Sequence, residues 1–357
     1  MRSLRTYAPL LALPAVAVGL HGVLAAEGDI ARMTQLIMSA YYALVVIGLC
    51  LLMGYAGQAS LGHAGFFALG GYVSAAMTTC NLLPWRQTTA VRLCEIAGLL
   101  IERKDPFGMP LLSFAPWAAF ATAMLVCGAV AFVIGVPVIR LRGHYLAMAT
   151  LGFGLIVYRI VLAAAVFGQA DGISNVPPFE LLPGLRIGGS RAWRVENYYI
   201  AWGAVMAAML LAINLINSRV GLALRSIHES EEAAHSLGVD TYRYKLAVFV
   251  FSALLAGAGG VLLTHYNGSI SPSEASVMKS VRYVAIVAAG GMANLWGALG
   301  MGMVLNYLSL RGQFGRYDEA VFGLILIAMM LFAPQGLLRP VDWSVVRRLL
   351  AGRARNG

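Results

Sequence analysis

Charge is what this chain has least of. Asp, Glu, Lys and Arg make up 12% of its 357 residues, about half the share found in an ordinary soluble domain. So few charges cannot cover a water-facing globular surface. With 59% hydrophobic residues, the composition is that of an integral membrane protein. Cysteine is scarce as well. Cys50, Cys80, Cys94 and Cys127 form no C-x-x-C pair and have no His-rich spacing beside them, so no metal-site pattern is present. There is also no G-x-x-x-x-G-K-[ST] loop. The three lysines, Lys104, Lys245 and Lys279, lack that context, so the chain does not hydrolyse ATP itself.

What is present is a series of charge-free runs of the length that crosses a bilayer, about 20 residues. They include Thr6 to Ala26, Met33 to Trp85, Phe107 to Ile139, Tyr198 to Ile216, Leu246 to Tyr266, Tyr283 to Leu310 and Ala320 to Leu338. The net charge of +10 is concentrated at the ends of these runs, which is positive-inside anchoring and not a nucleic-acid face. Arg2 and Arg5, Arg140 and Arg142, Arg219 to Lys245, and the basic tail 339–357 mark one side of the membrane as cytoplasmic. The map closes with spans at 7–26, 31–53, 61–80, 116–138, 145–167 and 198–217, followed by shorter crossings near 245–265, 281–293, 296–311 and 319–336. The fold class predicted is an all-α, polytopic transmembrane bundle of about eight to ten spans, forming a single domain over 1–357. The last crossings are too short to be ordinary spans, which predicts half-helices or a re-entrant turn at Gly290-Gly291.

The first run also has the layout of a signal peptide, with a basic start, an apolar core and small residues near Ala26. The charge map closes with that segment kept as the first span. Two long segments, 81–115 and 168–197, are predicted on the outer face, the first with a short amphipathic helix over Ala90 to Ile101. Cys80 and Cys94 bracket that segment, where an oxidising compartment permits a disulfide.

The connector 218–245 is the most polar part of the interior sequence, with eight charged residues from Arg219 to Lys245. Leu222, Ile227, Ala234 and Leu237 recur at near-helical spacing opposite Arg225, Glu229, Glu231, Glu232 and His235, which predicts one amphipathic helix with an Arg225–Glu229 pair. Gly238 ends it as a C-cap, and Asp240 or Thr241 caps the next helix. Small residues at Ala233 and Ala234 leave room for another protein's groove. An ordinary surface helix accounts for the same pattern.

The segment Gly54 to His63, GYAGQASLGH, interrupts two apolar runs with polar groups at membrane depth, where they must pair or line a cavity. Tyr55, Gln58, Ser60 and His63 are therefore candidates for a translocation pathway. Hydrogen bonds that only hold the bundle together are the competing explanation. His63 has no second metal ligand at helical spacing. Ser60 and His63 as an enzyme's nucleophile and base lack a third orienting group.

Glu232-Ala233-Ala234 followed by Gly238 resembles the EAA loop of ABC-importer permeases. GYAGQASLGHAGFFALGGY at Gly54 to Tyr72, RLRGHYLAMATLGFG at Arg140 to Gly154, ESEEAAHSLGVDTYRYKLAVFVFSALLAGAGGVL at Glu229 to Leu262 and VAAGGMANLWGALGMG at Val287 to Gly302 resemble blocks of the branched-chain amino acid permease family, in the order of its LivM-type members. The resemblance implies a bacterial inner-membrane importer with a LivH-type second permease, two cytoplasmic ATPases that bind the ATP, and a solute-binding protein outside. It makes Glu231, Glu232, Ala233, Ala234 and Gly238, with Arg225 on the same connector, the ATPase-coupling element, and leaves this chain without a cofactor of its own. Branched-chain amino acids, urea and other small organic solutes are all carried by permeases of this kind. An ion-coupled carrier is the rival class, but the predicted spans hold almost none of the buried carboxylates that carriers use.

Overall fold

The computed structural model describes residues 2–27, 30–104, 108–182 and 184–332. The basic tail 339–357 lies outside the described residues. The chain opens with α1 (Arg2–Glu27) and α2 (Ile30–Cys50), the latter running on through one π turn, Leu51–Tyr55. A loop leads into α3 (His63–Thr79), then α4 (Thr89–Ile96) and a hairpin of β1 (Leu100–Lys104) and β2 (Pro110–Phe114). Next come α5 (Pro116–Val138), α6 (His144–Ala163), the short strands β3 (Ile173–Ser174), β4 (Phe179–Leu182) and β5 (Leu185–Ile187), and α7 (Arg194–Asn217). The connector holds α8 (Arg219–Glu229) and α9 (Glu231–Ser236). After it follow α10 (Thr241–Asn267), β6 (Ser269–Ile270), α11 (Val277–Gly290), α12 (Leu295–Leu310) and α13 (Asp318–Phe332).

Among the described residues, five helical segments are long and apolar enough to cross a membrane: 32–55, α5, α6, 191–217 and α10. The all-α bundle expected from the sequence is therefore present, with antiparallel two-stranded pairs β1–β2, β3–β6 and β4–β5 confined to one end. That end is opposite the connector. Segment α2 forms the centre and is buried along most of its length, whereas α5 exposes Leu125, Phe132 and Val133 and α6 exposes Leu155, Ile156 and Ile160. Apolar side chains facing outward on long helices are what acyl chains cover. Arg159 is exposed near the far end of α6, where a long side chain reaches the interface by snorkelling.

In lipid, burying leucine does little to bring helices together, so close contact depends on small residues. α10 crosses α3 at such a contact. A Cβ at Gly260 would collide with the Phe67 carbonyl, and one at Gly70 would meet the Gly257 backbone. The far end is pinned by hydrogen bonds. His265 Nδ1 and the Pro177 carbonyl lie 2.7 Å apart, and its Nε2 is 2.8 Å from Ser74 Oγ. Arg103 donates to the Thr78 carbonyl at 2.6 Å and to Ser113 Oγ at 3.0 Å.

Two expectations for 81–115 are corrected. The helix ends at Ile96 and not at Ile101, because Gly98 takes a left-handed φ of 69° and the chain turns into β1. Cys80 and Cys94 are free thiols. The segment is closed instead by the hairpin and by Arg86, which bridges Glu95 at 2.6 Å and Glu102 at 2.9 Å. The expected half-helices are present as α11 and α12. At 1.5 Å per residue they span roughly 21 and 24 Å, short of the ~30 Å hydrocarbon core, and they meet in a turn at Gly291–Asn294.

Candidate functional site

The stretch 222–237 before the Gly238 turn is two helices, α8 and α9, and not one. Ser230 leaves the helical region at φ −158°, ψ 110°, and its Oγ accepts the Ala233 N–H, so a new helix begins at Glu231. Ser230-Glu231-Glu232 is an N-terminal signal, a hydroxyl cap followed by first-turn acids, that the apolar spacing across 222–237 concealed. The break also changes the faces. Gly221, Leu224, Ile227 and Ala234 are buried, whereas Leu222 and Leu237 are 70% and 83% exposed and project outward. Ala233 is exposed and Ala234 is buried.

Gly238 closes α9 as the sequence predicts. Its φ is +83°, its N–H donates to the His235 carbonyl at 2.9 Å, and the Val239 N–H donates to the Ala234 carbonyl at 3.1 Å. This pair of bonds is a Schellman cap, which needs a left-handed residue at this position. Asp240 then caps α10, its Oδ1 accepting the Arg243 N–H at 3.1 Å. Both turns are thereby fixed by backbone geometry.

Ion pairs lock the connector onto the bundle. Glu231 receives Lys245 Nζ at 2.6 Å, and Arg142, in the turn between α5 and α6, approaches Glu231 at 3.9 Å and Glu232 at 3.6 Å. Partial burial alone would raise the Glu231 carboxyl. The Lys245 hydrogen bond and charge, with Arg142, outweigh that and hold it below the usual carboxylate range. A depressed carboxyl contributes stability above its unfolded value, about 4.3, and loses it as pH falls through the lower folded value. Replacing Glu231 with Gln should therefore speed amide exchange over α9 and the start of α10 about tenfold, since a charged hydrogen bond of this type is worth roughly 1.5 kcal/mol. The difference from the parent protein should be constant from pH 8 to pH 5. Hydrogen-exchange mass spectrometry reads it.

Arg225 does not pair with Glu229. Its guanidinium lies over the Tyr55 ring, 5.7 Å from the centroid, and the Tyr55 hydroxyl donates to the Ala293 carbonyl at 3.0 Å. Cys50 donates to the neighbouring Met292 carbonyl, and a Cβ on Gly54 would strike that same group. A continuous path of contacts thus runs from α8 through Tyr55 to the turn that joins α11 and α12. Tyr55, proposed from sequence as a pathway residue, is placed as the bridge between the connector and the half-helices.

The other three pathway candidates are sealed in this conformation. Gln58, Ser60 and His63 are each no more than 3% exposed. His63 lies 3.0 Å from Ser60 Oγ through Nδ1 and 2.7 Å from Ser252 Oγ through Nε2, which ties the interrupted segment to α10. The Gln58 amide is buried with neither end hydrogen-bonded. No group of three or more potential metal ligands occurs among the described residues.

The sequence reading missed a second set of charges. Lys279 bonds to Glu274 at 2.5 Å beside Tyr42 of α2, and Arg282 of α11 bonds to Asp318 of α13 at 3.2 Å. The clue was available: Lys279 and Arg282 fall within three residues at the start of a run too short to be a full span.

A helical bundle with lipid-facing apolar helices, broken half-helices and a polar connector on one end is a multi-pass membrane protein. Comparison with known proteins gives the family. Residues 32–334 match the family described as branched-chain amino acid transport system / permease component, and the chain belongs to that family. It is 30% identical over 87% of its length to the high-affinity branched-chain amino acid transport permease protein LivM of Escherichia coli strain K12, covering 69% of that protein. It is 25% identical over 84% of its length to LivH of the same organism, covering 92% of it. A nucleoside ABC transporter permease of Lactococcus lactis, NupC, is 23% identical over 49% of this chain. No solved structure matches. The chain is a transport component and not an enzyme.

Proposed function

We propose that this chain is one of two membrane subunits of an ATP-driven importer in a bacterial inner membrane, carrying branched-chain amino acids inward with a LivH-type partner. Two cytoplasmic ATPases and an external solute-binding protein complete the assembly. The observation that carries this reading is the connector: two short helices fixed by a Schellman cap and by Glu231–Lys245, with Leu222 and Leu237 exposed on the outside. Such a body moves as a unit when pushed. A groove of about 560 Å³, lined by Leu222, Arg225, Glu229, Val239 and Tyr244, offers the mixed apolar and charged surface that a docking subunit fits. Arg225 and Tyr55 would pass the push to the α11–α12 turn. The half-buried carboxylates of Glu274 and Asp318 each face a cation, and family membership argues against an ion-coupled carrier.

The test is purification of the full chain from membranes under mild detergent. An ATPase subunit is expected to be retained and to hydrolyse ATP. Its absence from a preparation that keeps the second permease would overturn the reading.

A further inference from the structure

Helix α1, which precedes the matched residues 32–334, is tied to the bundle through α7. Near the start of α7 the Tyr198 hydroxyl donates to the Ala17 carbonyl at 3.0 Å, and the Tyr199 hydroxyl lies 2.8 Å from His21 Nδ1. On its other side α1 stands off α12, and a groove of about 530 Å³ runs between the two. Leu36 of α2, itself buried, lies at the bottom.

The groove has the dimensions of a lipid tail. It reaches from Leu13 to Leu24 on α1 and from Trp296 to Tyr307 on α12. At about 1.5 Å per residue each stretch is roughly 17 Å long, close to half of the ~30 Å hydrocarbon core and so to the depth of one leaflet. Spread over that length, the volume leaves a cross-section of roughly 30 Å², too narrow for an α-helix ~10 Å across. Its orientation is set by α12, which begins beside Tyr55 at the connector end and finishes where Gln35 donates to the Leu310 carbonyl at 3.4 Å. At that far end stands Arg32, the first residue of the span 32–55. Among the described residues Arg32 is the one charged side chain in the lining, and Val16, Val23 and Val304 are exposed within it. Water finds too few polar partners in such a space. An empty gap would forfeit the dispersion contacts of both walls.

We propose that the groove holds one acyl chain of a phospholipid from the leaflet opposite the connector, with the lipid's phosphate at Arg32. An arginine has five N–H donors, enough to hold phosphate oxygens beside other partners, and such charged contacts are short and strong. The bound chain would join α1 to α12, which the protein's own side chains leave apart. The inference stands independently of the importer reading.

Native mass spectrometry tests it on the full chain, purified in mild detergent with the subunits it retains and incubated with dioleoyl phosphatidylglycerol. A Cβ at Gly300 meets nothing within 4 Å, so Gly300→Leu fills the groove without disturbing the bundle. Gly323 on α13 is equally open and lies outside the groove, which makes Gly323→Leu the matched control. The parent and Gly323→Leu should each retain one phosphatidylglycerol more than Gly300→Leu. Arg32→Gln should lower that occupancy about fivefold, the effect of one basic residue near the headgroups, and dioleoylglycerol, which has the tails without the phosphate, should not be retained. Equal retention by the parent and Gly300→Leu, or equal retention of phosphatidylglycerol and dioleoylglycerol, overturns the site. Loss of another subunit from Gly300→Leu alone also overturns it, since the groove would then be a protein interface.

Discussion

Replacing Gly238 with proline should cut solute uptake by more than tenfold while leaving the amount of protein in the membrane within about twofold of the parent. Proline fixes φ near −65°, and Gly238 sits at +83°. The substitution also removes the N–H that bonds His235 and disfavours the helical conformation of Leu237 before it. The cap opens, and α9 loses its fixed angle to α10. Nothing lies within 4 Å of a Cβ built at Gly238, so the bundle itself is not disturbed. Gly238→Ala should fall between, because a left-handed non-glycine residue costs about 1–2 kcal/mol. Uptake by the proline variant within twofold of the parent would show that the connector's rigidity is dispensable.

The largest effect on assembly is expected at the α3–α10 crossing. Gly260→Leu places a branched side chain where the Phe67 carbonyl stands, with the Gly71 nitrogen only 3.2 Å from the new Cβ. Neither obstacle is a flexible side chain, so the helices must separate. Overpacking of this severity belongs to the rare class that costs more than about 4 kcal/mol, and the variant should not accumulate in membranes. Gly152→Leu is the matched control, since a Cβ there meets nothing within 4 Å. Immunoblotting of membrane fractions compares the two. Equal accumulation would mean that the helices are less closely apposed than described.

The spans were legible in the sequence because helices in lipid exclude charge, and the half-helices because Tyr283 to Leu310 is too short to cross twice. Gly238 was legible because its role is local. What was not legible depended on partners distant in sequence. His63 stood out as a polar residue at membrane depth, but nothing in the segment 54–63 indicates that Ser252 saturates its second nitrogen, so a packed tie looked like a lining residue. Glu231 was assigned to the connector's function without its bond to Lys245. The break at Ser230 is a different kind of miss: the local cap signal was present, and the apolar spacing that spanned it carried more weight. Residues 266–280 carry no role in the sequence, since they fall between two predicted crossings, and the bond from Tyr42 to Glu274 joins positions 232 residues apart.

If the ATPase pushes on the connector, the two must touch. The most direct test of that contact is a photo-crosslinking side chain placed at Leu237, 83% exposed on the connector, and at Ile96, equally exposed at the opposite end of the bundle. Illumination of membranes holding the assembled transporter should give an adduct with the ATPase subunit from position 237 and none from position 96. No ATPase adduct from position 237, or equal adducts from both positions, would contradict the account.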